Sequence, residues 1–87
     1  MKLINVINPA VDLRQLVQLC QPDDIILLRQ DAVYLSLKPG LALAGICCYV
    51  LGTDLTARQL TPQPEFTVID DATWVKLTSE AQQSLLW

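Results

Sequence analysis

Three short, largely apolar runs limit what this chain can become: Ile25–Leu28, Ile46–Leu51 and Phe66–Ile69. Each is shorter than an ordinary helix and is bounded by polar or turn-forming residues. A strand with one wet face alternates apolar and polar side chains. A continuous run instead fits a strand covered on both faces, as in a parallel sheet. Leu3 to Ile7 is a similar run at the start of the chain. Helical patterns lie between these runs. Leu13, Leu16, Val17 and Cys20 form a stripe at i, i+3, i+4, i+7. Asn8-Pro9 offers a cap followed by a first-turn proline, and Pro22 and Asp23 close the pattern. Asp54 to Leu60 and Asp71 to about Ser79 read as further helices, with Thr53 and Asp54 as a polar cap pair. Alternating β and α elements predict an α/β fold with a mainly parallel sheet of about four strands flanked by helices.

One stretch is readable in two ways. Val33, Leu35 and Leu37 alternate with Tyr34, Ser36 and Lys38, and Pro39-Gly40 is a turn signal. Locally this is a strand and hairpin. Globally, residues 32–45 must cross between two parallel strands, which needs at least about 10–12 residues and often a helix. The expected outcome is a short helix or an irregular crossover.

With 87 residues the chain suits one domain, 1–87. A domain of that size buries only about 60% of its unfolded surface. Yet 52% of the residues are hydrophobic, so association with a partner, or homo-oligomerisation when isolated, is expected. The net charge is −3, and the six basic residues are scattered. A chain that grips nucleic acid concentrates its basic residues on one face, so none is expected here. Leu41 to Gly52 is too short to span a membrane, which takes about 20 residues. No signal-peptide pattern opens the chain, and three cysteines do not make a disulfide framework. These features lead to the expectation of a cytoplasmic protein without membrane attachment.

Histidine is absent, as are CxxC, P-loop and GxGxxG motifs. That removes His-based acid–base and metal chemistry. A reactive thiolate needs a helix N-terminus or nearby cations. Cys20 has neither: it falls near a helix C-terminus with Asp23 and Asp24 beyond it. It is still the one candidate for a catalytic role. Cys47 and Cys48 lie in a strand whose faces should both be covered, and are expected to be inert core thiols. Asn8, Asp31, Asp54, Asp70 and Asp71 all fall just past strand ends, at the edge where open α/β sheets bind ligands. Helix capping accounts for each of them; Mg²⁺ binding in a small receiver-like module is the alternative. Arg58 stands at i+4 from Asp54, as a surface ion pair or a partner contact. The apolar end, Ser84 to Trp87, should pack on its own domain or on a neighbour.

Three blocks of this sequence resemble the TusB/DsrH family of small sulfur-relay subunits. They are Asp24-Ile-Ile-Leu-Leu-Arg-Gln-Asp31, Tyr49-Val-Leu-Gly-Thr-Asp-Leu-Thr-Ala-Arg-Gln-Leu60 and Val68-Ile-Asp-Asp-Ala-Thr-Trp-Val-Lys-Leu-Thr78. Trp87 matches a family tendency, and the resemblance runs from about Asp24 to the end. Ala32 and Gln59 stand where glycine is usual, Asp71 stands where an aromatic is common, and the segment between Tyr34 and Ile46 is shortened. The resemblance implies a flavodoxin-like (DsrEFH-like) fold and a heterohexamer with TusC-like and TusD-like sister subunits. A TusE-like acceptor would lie downstream, and sulfur would move as a persulfide towards 2-thiolation of the tRNA wobble uridine. In that family the reactive cysteine belongs to the TusD-like subunit, so this chain would be a non-catalytic interaction subunit without a cofactor. Asp31, Asp54, Arg58 and Trp87 are its expected interface residues. A DsrH-like part in sulfur oxidation and a Cys20 persulfide carrier are the alternatives.

Overall fold

The computed structural model describes residues 1–38 and 45–87. Its frame is a five-stranded sheet in which all neighbours are parallel. The strands are β1 (Lys2–Val6), β2 (Ile25–Leu28), β3 (Cys47–Leu51), β4 (Thr67–Ile69) and β5 (Gln83–Leu86). They lie in the order β4-β3-β2-β1-β5. The helices are α1 (Leu13–Gln18), α2 (Gly52–Ala57) and α3 (Asp71–Glu80), and a 3₁₀ segment covers Gln30–Leu37. The expected α/β architecture is present, with one strand more than the four apolar runs. That strand is the C-terminal tail, which joins its own sheet beside β1, with Ile4 opposite Leu85. Its weak signal is physical: half of this edge strand is the polar pair Gln83 and Ser84, and its apolar stretch, Leu85 to Trp87, is as consistent with packing on a neighbour as with a strand.

The strand order determines which face each connection covers. From β1 to β4 the chain steps across the sheet in one direction, and right-handed crossovers then put every connection on the same face. The step from β4 back to β5 reverses direction and puts α3 on the other face. The packing follows this. One core joins Ile4, Val6, Ile26, Leu28, Cys48 and Val50 to Leu13, Leu16 and Val17 of α1, to Val33 and Leu35, and to Leu55 of α2. The opposite core is small: Leu3, Leu27, Leu51 and Ile69, partly covered by Trp74 and Leu77 of α3. No residue of α3 is fully buried.

Local starts differ from the sequence expectation in two places. Asn8 does not cap α1. Its side chain accepts from the Ala10 N–H at 2.9 Å, closing a local turn, and Asp12 is the cap, accepting from Arg14 N–H at 3.0 Å. Likewise α2 begins at Gly52 without a side-chain cap, so Thr53 and Asp54 stand inside its first turn. A Cβ at Gly52 would sit 3.1 Å from Val68 Cγ1 and 3.3 Å from the Ile69 carbonyl. The strand-to-helix turn therefore passes tightly against β4. In the crossover, the strand reading of residues 33–37 fails because Ser36 is as buried as Val33 and Leu35. Three-residue spacing turns Ala32 and Leu35, and Val33 and Ser36, towards the core. The Pro39-Gly40 turn lies outside the described residues.

The end of α2 is a Schellman motif. Leu60 N–H donates to Leu55 O at 3.0 Å and Gln59 N–H to Thr56 O at 3.1 Å. Gln59 takes φ 55°, in the left-handed region, where a side chain costs about 1–2 kcal/mol. Ala32 has no such φ; Gln30, two residues earlier, does, at 51°. At the opposite end of the sheet, Asp24 is 2% exposed. It accepts from Lys2 N–H at 3.0 Å and Gln21 N–H at 2.9 Å, and lies 3.6 Å from Lys2 Nζ. Burial alone would raise its carboxyl, but the two N–H donors and the Lys2 charge outweigh it and hold the group below the usual range.

Two outcomes follow. Gln59→Gly should raise stability by about 0.5–1 kcal/mol, the strain relieved less the added freedom of the unfolded chain; urea unfolding should show a higher midpoint at unchanged slope. Asp24→Asn should lower stability at neutral pH by about 1–3 kcal/mol. A depressed folded pKa stabilises above the unfolded value of ~3.9 and loses that effect as pH falls below it. The gap between Asp24→Asn and wild type should therefore narrow below that pH in denaturation curves; a constant gap would count against this role for Asp24.

Candidate functional site at the carboxyl edge of the sheet

In open parallel sheets, groups that meet ligands or partners gather beyond the strand carboxyl ends. Here three clusters occupy that edge. In the first, Arg58 reaches from the end of α2 to Asp31 in the 3₁₀ segment, with Nη2 at 2.9 Å and Nε at 3.3 Å from Oδ1. Its Nη1 donates to the Asp54 carbonyl at 3.2 Å and lies 3.8 Å from the Asp54 carboxylate. The other Asp54 oxygen accepts from Gln30 N–H at 2.7 Å, anchoring that left-handed residue. Asp31 is well exposed, so its pair with Arg58 is worth only about 0.2–1 kcal/mol.

The second cluster surrounds the start of α3. Asp70 caps the helix, accepting from Thr73 N–H at 2.8 Å. The Thr73 side chain and then its N–H hold the Asp70 carboxyl below the usual range. Asp71 accepts from the Thr53 hydroxyl at 2.8 Å, tying α3 to α2. Of the acidic residues read as caps, only Asp70 is one. Among the described residues no three His, Cys, Asp or Glu side chains converge where a metal ion would sit; the carboxylates of Asp31 and Asp54 face Arg58 instead.

The third cluster lies over β1 and β2. Arg29 follows β2, and its Cζ is 4.1 Å from the Trp74 ring centroid. Arg29 Nη1 donates to Asn5 Oδ1 at 3.3 Å, and Asn5 Nδ2 donates to the Leu85 carbonyl at 3.4 Å. Asn5 is buried, and Arg29 Nε is buried without a hydrogen-bond partner among the described residues. Sequence reasoning passed over this trio. One signal was available: Asn5 is the polar break within the first apolar run.

Asp31, Asp54 and Arg58 are thus brought together, whereas Trp87 lies across the sheet. Trp87 continues past β5, its N–H donating to Asn5 O at 2.7 Å and its carbonyl accepting from Ile7 N–H at 2.9 Å. Its side chain is 44% exposed.

The thiols lie away from these clusters. Burial pushes the Cys20 thiol up, and the Asp24 charge adds to this against the opposing Lys2. Its Sγ lies 3.3 Å from the Leu16 carbonyl. Cys48 is pushed up to about 12, chiefly by burial. Both shifts oppose thiolate formation. Cys47 corrects the expectation of a paired core: it is exposed. It starts β3 on the face covered only by α3, and the small core there does not include it.

Together these features define a class, a small flavodoxin-like α/β domain with an all-parallel sheet and a polar carboxyl edge. The family model described as "DsrH like protein" matches residues 8–84, and the chain belongs to that DsrH-like family. The crystal structure of the YchN protein from E. coli is similar, with a TM-score of 0.73 and 18% sequence identity. The alignment covers 100% of this chain and 99% of that one. At that identity the likeness is one of fold. No curated protein matches the sequence. Among the described residues no helix is long and apolar enough to cross a membrane.

The thiol placements set an order of reactivity. Under native conditions iodoacetamide should label Cys47 first, Cys20 more slowly, and Cys48 only on unfolding. Peptide mass mapping over time reads this directly, and early labelling of Cys48 would contradict the packing.

Proposed function

We propose that this chain is a non-catalytic interaction subunit of a sulfur-relay complex. The sulfur would pass as persulfide towards 2-thiolation of the tRNA wobble uridine. Membership of the DsrH-like family over residues 8–84 carries this reading. The raised thiols of Cys20 and Cys48 support it, because a relay cysteine works as a thiolate. Cys20 as persulfide carrier is correspondingly disfavoured. Exposed Val75, Leu86 and Trp87 supply apolar surface for neighbours. Asp31, Asp54 and Arg58 supply a polar rim, where charges give specificity more than affinity. TusC-like and TusD-like subunits are the proposed direct partners, in the cytoplasm, with a TusE-like acceptor downstream. Nothing in this reading brings the chain itself into contact with tRNA.

The test is purification of the tagged chain from its native host in mild salt, paired with a Cys20→Ser strain. Sister subunits should co-purify, and Cys20→Ser should leave 2-thiouridine in tRNA unchanged. Recovery of the chain alone would sink the proposal. Loss of sulfur oxidation with intact tRNA thiolation on deletion would move it to the oxidation branch.

A further inference from the structure

Arg29 stands directly after β2, the central strand of the sheet. The residue is half-buried, yet none of the described salt bridges involves it. Residues 39–44, outside the description, carry no acidic side chain. The group is nevertheless held in place, by Asn5 Oδ1 at Nη1 and by the Trp74 ring beneath Cζ. A guanidinium offers five N–H donors and takes a carboxylate in its plane through two of them. Among the described residues one neutral amide oxygen serves it, and the Nε–H is buried with no acceptor. A partly desolvated cation without a counter-ion is costly, and so is a buried donor left unpaired. The indole face offsets part of this. It supplies no acceptor for Nε.

We infer that Arg29, positioned by Asn5 and Trp74, is a binding site for a carboxylate group. Asn5 occupies Nη1, so the Nε–Nη2 edge is the one left for a two-pronged anion. Filling that edge satisfies the buried Nε–H and neutralises the charge together. Nε is closed to solvent in the free chain, so a carboxylate can reach it only if the Arg29 side chain and the groups around Nε shift relative to each other. The carboxylate belongs either to a small organic acid or to an acidic side chain of a docked protein. The site goes beyond the sulfur-relay reading and does not depend on it.

The test is a titration of the full ¹⁵N-labelled chain with sodium acetate, against sodium chloride at matched ionic strength. The Trp74 indole N–H and the Arg29 Nε–H are followed by NMR. Acetate should move both resonances to saturation, and chloride should not. Arg29→Gln should weaken acetate binding about tenfold or more, since a charge-assisted pair is lost. Arg29→Lys, which keeps the charge but not the fork, should weaken it several-fold and serves if the glutamine variant does not fold. A blocked tripeptide with a central glutamate is the second probe, its glutamine counterpart the control. Tighter binding of the glutamate peptide than of acetate assigns the site to a docked chain, and equal or weaker binding assigns it to a small acid. No saturable shift with either carboxylate, or the same shift in both Arg29 variants, overturns the inference.

Discussion

The fold depends on burying both faces of the central parallel ladder. Ile26, Leu27 and Leu28 are each fully buried, two facing one core and Leu27 facing the other. A parallel sheet needs cover on both sides, and this chain has few elements to provide it. Its strand order sends three right-handed connections to one face and only α3 to the other. The first face therefore closes over a large core, while the second closes over four buried residues and leaves its margins exposed. The exposure of Cys47 and Val75 traces back to that uneven cover.

The same topology gathers polar groups at one edge. Every strand ends there, so the residues that follow β2, β3 and β4 become neighbours despite their distance in sequence. Arg58 bridging to Asp31, and Thr53 to Asp71, stitch the connections to one another. These contacts are structural in the free chain. They also leave charged and aromatic groups facing outwards, which suits the proposed interaction role. The thiols, by contrast, lie away from that edge: burial pushes Cys20 and Cys48 up, and Cys47 is exposed at the far end of the sheet.

Gln59 shows how a local departure is accommodated. Its place after α2 requires a left-handed residue, which favours glycine. The two Schellman hydrogen bonds and the packing of Leu60 against the main core keep the cap closed in spite of the side chain. Packing fixes the geometry, and the strain remains as a small local cost.

The apolar runs and the helical patterns between them determined the α/β class, the parallel pairing and four of the five strands, because a largely apolar run is a local signal of burial on two faces. The spacing of Leu13, Leu16 and Val17 likewise determined the buried side of α1. Other features needed the tertiary structure. Whether the tail formed a strand depended on the open edge of β1, which no local pattern reveals. Capping at Asp12 rather than Asn8, and the use of Asp54 to hold Gln30, depended on which donors the folded backbone left unpaired. The Arg29–Trp74–Asn5 trio joins residues from β1, the end of β2 and α3. Its members are 24 to 69 residues apart, and only the reversal that carries α3 to the second face brings them together.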